Sequence, residues 1–366
     1  MPCDSHPKAL RDDATGETFP ASDPIAPMGS APTSHTVVCR FGRAWIESAE
    51  VQPAPGIGSP SHKALTGYKI DNPRRGRSQH MLFKNINVDG LDVFYREAGN
   101  DSAPKLVLLH GFPASSHQYR NLIPALAGRF HVIAPDYPGF GNTDMPDPSK
   151  FAYTFDKTSE IIESFLGKVG FTRFGLYAQD YGGPVGFRIV TRRPDLLEWL
   201  IIQNTNAYEV GFTAAWDGLR GAYWKTRSPE SEKPLEAFLQ ADTVKLVYTH
   251  GHPRPELISP DNWNMDLHYL DRPNARQVQL DFFYDYRTNV ELYSQWQAFL
   301  RKRQPKTIIF WGQDDIFFTR EGGEAYLKDL PDAEMHRLNS GHFAVEDCLP
   351  FIVEKMIAFY ERTRSR

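Results

Sequence analysis

One short segment constrains this chain more than any other. The apolar run Phe174-Gly175-Leu176-Tyr177 leads into Ala178-Gln179-Asp180-Tyr181-Gly182, and Gly183-Pro184-Val185-Gly186-Phe187 follows as a helix start. A small residue on each side of a central nucleophile, between strand and helix, lets the backbone turn sharply enough to lift that side chain above a sheet. Here the central residue is a carboxylate. Attack on an acyl group would give a reactive anhydride, whereas displacement at saturated carbon gives an ordinary ester that water can cleave. Asp is also a favoured helix N-cap, so the nucleophile reading rests on the partners described below.

The pattern around this turn is an alternation of strands and helices. Phe83 to Val88 and Leu91 to Glu97 read as strands joined by Asp89-Gly90, a hairpin signal. Lys105 to Leu109 is a mostly apolar run suited to a buried central strand. Ser115 to Leu126 predicts a helix capped by Ser115 or Ser116, and His131 to Ala134 the next strand. Ile161, Ile162, Phe165, Leu166 and Val169 recur at helical spacing. Strand 173–179, helix 183–193 and strand 198–203 follow. Such alternation implies a mostly parallel sheet with helices on both faces.

Between about Thr205 and Gln304 the alternation lapses into an aromatic, helical stretch: Thr213 to Trp224, Leu235 to Tyr248, Gln277 to Phe283 and Asn289 to Arg301. Strands resume at Lys306 to Trp311 and Ala333 to Leu338, with helices at Glu321 to Leu330 and Leu349 to Thr363. The expected division is a core of residues 81–204 and 305–366 and a helical insertion of residues 205–304. Residues 1–80 hold ten of the 28 prolines and no sustained period, and are expected to form a disordered extension.

Composition narrows the function classes. A net charge of −4 without a long basic stretch argues against nucleic acid as a partner. Cys3, Cys39 and Cys348 are too few and scattered for a disulfide framework or a metal cage. No apolar run approaches the ~20 residues that span a bilayer, and the N-terminus lacks the layout of a secretory signal. A cytoplasmic enzyme without metal or cofactor is expected. The oligomeric state is not legible.

Three further segments complete a chemical set. His342, in Ser340-Gly341-His342-Phe343, follows the last expected strand and is the candidate base. Gln313-Asp314-Asp315 follows the preceding strand and offers two acids to orient it. Asp315 is preferred because the loop needs length to swing a carboxylate beneath the imidazole, and Asp314 remains the alternative. A paired carboxylate fixes the imidazole tautomer and stabilises its charged form. His110-Gly111-Phe112-Pro113 follows the central strand, where the backbone N–H of Phe112, with that of Tyr181, would form an oxyanion hole. The pair His250-Gly251-His252 reads as a loop rather than a metal site.

Over residues 82–362 the chain resembles the epoxide hydrolase and haloalkane dehalogenase branch of the α/β-hydrolases. His110-Gly111-Phe112-Pro113, Asp136-Tyr137-Pro138-Gly139-Phe140-Gly141, the Asp-centred turn and Ser340-Gly341-His342-Phe343 carry the likeness. It implies the α/β-hydrolase fold: a mostly parallel eight-stranded sheet flanked by helices, with a helical cap inserted after the sixth strand. It also implies Asp180 as nucleophile, Asp315 as acid and His342 as base.

Dehalogenases of the branch place tryptophan after the nucleophile and Asn or Trp after His-Gly, to hold the halide. Here those positions are Tyr181 and Phe112. Epoxide hydrolases of the branch often carry that tryptophan too, so Tyr181 departs from both. They protonate the epoxide oxygen with cap tyrosines. Phe282-Phe283-Tyr284-Asp285-Tyr286-Arg287 is similar to their tyrosine-bearing cap helix, which makes Tyr286 the expected acid. Tyr208, Tyr223 and Tyr248 are candidates for a second tyrosine. His110, Pro113, Trp216 and Tyr208 are expected around the substrate, a small and largely apolar molecule. The resemblance thus implies opening of an epoxide to a diol. Hydrolytic dehalogenation is the alternative, and a non-catalytic ligand-binding protein of this fold the alternative of another class.

Overall fold

Asp89 and Gly90 both have positive φ, 52° and 91°, which matches the right-handed twist of a tight hairpin. They join β1 (Leu82–Val88) to β2 (Leu91–Ala98). A computed structural model describes residues 80–364; the expectation of a disordered extension falls, His80 apart, outside the described residues.

Six further strands complete the sheet: β3 (Lys105–Leu109), β4 (His131–Pro135), β5 (Phe174–Gln179), β6 (Leu197–Gln203), β7 (Lys306–Gly312) and β8 (Glu334–Leu338). Their spatial order is β1-β2-β4-β3-β5-β6-β7-β8. β1, β2 and β4 pair antiparallel, and every pair from β4 to β8 is parallel. This is the eight-stranded α/β-hydrolase sheet that the motifs imply. Parallel strands need crossovers, so helices cover both faces. β3 shows the consequence, with Val107 and Leu109 in one core and Leu106 and Leu108 in the other.

Helices α1 (Leu122–Leu126), α2 (Phe155–Lys168) and α3 (Gly182–Arg192) lie between strands of the first part of the sheet. α2 starts at Thr154, whose side chain accepts from the Lys157 N–H, a standard N-cap. Between β6 and β7 stand α4 (Pro229–Glu232), α5 (Ala241–Thr249), α6 (Asp261–Leu270), α7 (Ala275–Asp285) and α8 (Arg287–Arg303), with short 3₁₀ segments. α9 (Arg320–Asp329) and α10 (Leu349–Arg364) follow β7 and β8. Among the described residues no helix is long and apolar enough to cross a membrane.

Three helical expectations break in the structure. Ser115 to Leu126 is a 3₁₀ turn at Ser116–Tyr119 and the separate α1. Pro124 has no N–H to give the carbonyl of Arg120, so the earlier turn cannot run on through it. Thr213 to Trp224 is a 3₁₀ turn at Ala214–Trp216 and a π turn at Leu219–Tyr223, and the Thr213 N–H and hydroxyl and the Trp216 indole N–H tie the segment to the carbonyls of Phe317 and Ile316. Leu235 to Tyr248 divides at Gln240, whose backbone is extended. α6 carries no strong apolar period and was not expected.

Candidate active site

Every candidate residue of the core sits where a parallel strand ends. Asp180 follows β5 with φ of 47°, a left-handed conformation that costs a non-glycine residue energy. Its backbone is held on both sides. The Asp180 N–H donates to Asn204 O at 3.1 Å, and Thr205 Oγ1 and the Gly183 N–H donate to Asp180 O at 2.7 and 3.0 Å. The flanking glycine is required by space, since a Cβ at Gly182 would stand 2.1 Å from the carbonyl oxygen of Leu109. Gly111 is required too, because its Cβ would stand 2.2 Å from that of Asp180.

The carboxylate is buried. Its Oδ1 accepts from the Phe112 N–H at 2.6 Å, and its Oδ2 lies 3.9 Å from His342 Nε2. Burial raises its pKa to about 6; the His342 charge and the N–H groups of Phe112 and Tyr181 pull the other way.

His342 follows β8 and turns its Nδ1 to Asp315 Oδ2 at 2.9 Å. Asp315 accepts there, so Nδ1 carries the proton and Nε2 offers its lone pair. Desolvation opposes a charge on the ring, yet the Asp315 carboxylate, its hydrogen bond and Asp180 together raise the histidine above its ordinary value. Asp315 is held in turn by the Phe317 N–H at 2.7 Å on Oδ1 and by Asn204 Nδ2 at 2.8 Å on Oδ2. Asp314, the alternative, pairs with Arg320 at 2.6 Å on the surface.

A narrow cavity opens over Asp180, lined by Phe112, Tyr181, Trp216, Leu219, Phe238 and Phe283, with Ala215 and Phe317. The wall is almost wholly apolar, and five of these residues come from the segment between β6 and β7. Trp216 is on it, but its indole N–H is spent on Phe317 O at 2.9 Å.

Three expected substrate contacts are corrected. His110, Pro113 and Tyr208 do not line the cavity. His110 stacks on Tyr137 with ring centroids 4.0 Å apart, and its Nε2 accepts from the Tyr137 N–H at 3.3 Å. Burial lowers its pKa to about 3, so it stays neutral and braces the turn after β3. Pro113 is buried beside it. Tyr208 gives its hydroxyl to Asp329 at 2.7 Å.

Tyr286 is fully buried at the junction of α7 and α8. It packs on two cavity residues, Trp216 at 4.5 Å and Tyr181 at 6.0 Å between ring centroids. Its hydroxyl lies beside that of Tyr293, close enough for the two to interact, but neither makes a well-formed hydrogen bond among the described residues. Tyr223 and Tyr248 donate elsewhere, to Leu280 O and Glu232 and to Asp266.

Asn204, Gln179 and the wall residues Ala215, Leu219, Phe238 and Phe317 escaped the sequence reading. Gln179 stands in the turn motif, at a position the pattern leaves open; the others stand in no motif, and only the Asn at a strand end offered a signal. Away from the site, Glu97, Asp101 and His131 bring ligand atoms within 4.8 Å of one another. Glu97 pairs there with Lys84 and His131, a charge balance that does not call for a metal.

A turn thus raises a buried carboxylate beside an acid-held imidazole at the strand ends of this sheet. The family model of the alpha/beta hydrolase fold matches residues 104–347, and the chain belongs to that family. It is 39% identical over 283 residues to "Uncharacterized hydrolase YNR064C" of Saccharomyces cerevisiae, covering 76% of this chain and 97% of that protein. It is 28% identical over 278 residues to a haloalkane dehalogenase of Mycobacterium marinum, covering 74% and 89%. Among solved structures, the epoxide hydrolase CorEH superposes with a TM-score of 0.64 at 20% identity, over 78% of this chain and 100% of that one.

Proposed function

We propose that this hydrolase works through an aspartyl ester on Asp180 and opens an epoxide to a diol. The observation that carries the reading is the division of labour on one carboxylate: Oδ1 is held by the Phe112 N–H, while Oδ2 faces His342. Oδ2 attacks the epoxide carbon, and the C–O bond to the ring oxygen breaks. The Tyr286 hydroxyl gives that oxygen its proton, help worth roughly 10²–10⁴-fold.

The product of this step is an ester whose carbonyl oxygen, Oδ1, already sits against an N–H. His342 Nε2 takes a proton from water, and the hydroxide adds to the ester carbon. The Phe112 and Tyr181 N–H groups stabilise the oxyanion. Collapse expels the second alcohol, which takes the proton from His342, and leaves Asp180 as the carboxylic acid. The Asp180 proton then passes to the Tyr286 phenolate, directly or through water, and both groups are restored.

An epoxide fits better than a halide because the halide donors are absent or engaged. Phe112 has no side-chain donor, Tyr181 stands in the tryptophan position, and the Trp216 N–H is spent. The buried Tyr286 hydroxyl, which makes no well-formed hydrogen bond among the described residues and neighbours that of Tyr293, is what an epoxide oxygen needs. The apolar wall selects a small, largely apolar substrate. The sequence likeness to haloalkane dehalogenases favours a second reading, halide displacement by the same carboxylate.

The test is intact mass spectrometry of His342→Gln after exposure to aryl and alkyl epoxides and to alkyl bromides. An epoxide-mass adduct on Asp180, absent in Asp180→Asn, is expected. Adducts from bromides alone would replace the first reading with the second, and no adduct from either would remove both.

A further inference from the structure

Gln179, the residue before Asp180, has no part in the chemistry so far. It is fully buried at the end of β5, and its Nε2 lies 3.0 Å from His342 Nε2. That is the atom that must accept a proton from water. Since Nδ1–H is committed to Asp315, Nε2 is an acceptor, and the Gln179 amide N–H is its donor. The other end of the amide is occupied as well: Gln179 Oε1 accepts from Gln118 Nε2 at 3.4 Å. Gln118 is buried in the 3₁₀ turn after β3, and its Oε1 has no partner. A buried carbonyl left unsatisfied costs free energy and calls for a reason.

The resting arrangement fails once the imidazole is protonated, because two N–H groups would then face each other. Turning the Gln179 amide over exchanges its oxygen and nitrogen, so that Oε1 accepts from the charged ring. The displaced Gln179 N–H then points at Gln118, and rotation of that second amide offers its orphaned Oε1. Two side-chain rotations thus give the charged ring an acceptor and the Gln179 N–H a partner, with no movement of the backbone; the His342 carbonyl keeps the Gln203 amide. We propose that Gln179 is a positioning residue for the base: its amide reverses as His342 takes the water proton, and Gln118 receives the displaced N–H.

The inference rests on the ester mechanism above and adds the device that serves its second step. The charged groups facing the ring are Asp315 from the loop after β7 and Asp180 from the turn after β5. Phe317 and Phe318 pack against it from the β7 loop and Phe343 from its own loop, and the Gln203 amide holds its backbone carbonyl. The amide chain is therefore the uncharged polar partner of Nε2 among the described residues.

The experiment follows ester decay by rapid quench and intact mass, with styrene oxide as the probe, between pH 5 and 9. Gln179→Leu removes the acceptor of the charged ring, and a charge-assisted hydrogen bond outweighs a neutral one. Ester decay should slow about tenfold, and its titration should move to lower pH by roughly half a unit to one unit. Gln118→Leu should move it the same way by less.

A move to higher pH would mean a fixed donor, and an unmoved profile a packing role; either overturns the proposal. A parallel ¹⁵N titration of the His342 imidazole, without substrate, should show the same downward displacement. Failure of wild type to form any ester would remove the function proposed above, while the ¹⁵N titration would still decide the amide reversal.

Discussion

Asn204 and His342 share one carboxylate oxygen: Asp315 Oδ2 accepts from Asn204 Nδ2 at 2.8 Å and from His342 Nδ1 at 2.9 Å. Asn204 follows β6 with φ of 39°, and its side chain also exchanges hydrogen bonds with Gly312 at the end of β7. Asp315 is thus aimed at the His342 ring by a residue that follows the neighbouring strand. Asn204→Ala should leave the fold intact and lower turnover about tenfold to a hundredfold, the worth of one buried hydrogen bond to a charge. Steady-state kinetics on an epoxide measures it, and unchanged turnover would remove Asn204 from the site.

Tyr286→Phe separates the two substrate readings. Loss of the acid should slow epoxide opening by roughly 10²–10⁴-fold and leave any displacement of alkyl bromide nearly unchanged. Because the hydroxyl makes no well-formed hydrogen bond among the described residues of the resting protein, its removal should change the melting temperature little. A large loss of stability with little loss of rate would assign Tyr286 to packing.

Ester formation should fall as pH drops through about 6, since burial raises Asp180 to that value and only the carboxylate attacks. Single-turnover rates of adduct formation in His342→Gln isolate this step. That variant removes a partner that lowers the Asp180 pKa, so its midpoint should lie above the wild-type value. A midpoint near the ordinary carboxylate range would contradict the desolvated site.

Asp266 carries a pH-dependent cost to stability. It is buried on α6, accepts from the Tyr248 hydroxyl at 2.6 Å, and burial raises its pKa to about 7. The folded protein therefore holds the proton more tightly than the unfolded chain does. This contribution to stability is complete below about pH 4 and is lost as pH rises to about 7. Asp266→Asn should then gain stability over wild type at pH 8 relative to pH 5, by a few kcal/mol at most. Equal differences in melting temperature at the two pH values would refute it.

The core site was legible because its parts lie in local motifs. Ala178 to Gly182, Ser340 to Phe343 and Gln313 to Asp315 each announce a strand end followed by a functional side chain, and strand order places those ends together. His110 misled because a motif reports that a residue is needed, not whether it touches substrate. Its ring serves the turn, stacked on Tyr137. Tyr208 misled differently: its hydroxyl has a partner distant in sequence, at Asp329. The helices between β6 and β7 were the least legible, since short turns there follow from contacts with Ile316 and Phe317 rather than from local period.

By itself, the sequence determined the alternating sheet, the sharp turn at Asp180 and the candidate set of Asp180, His342 and one of Asp314 and Asp315, because backbone geometry and strand period are local properties. Only the tertiary structure decided that Asp315 rather than Asp314 meets His342, and that Asn204 and Gln179 complete the network around it. It also decided which rings wall the cavity. Those outcomes depend on side chains meeting from separate strands, and no spacing along the chain encodes which of two adjacent carboxylates will face inward.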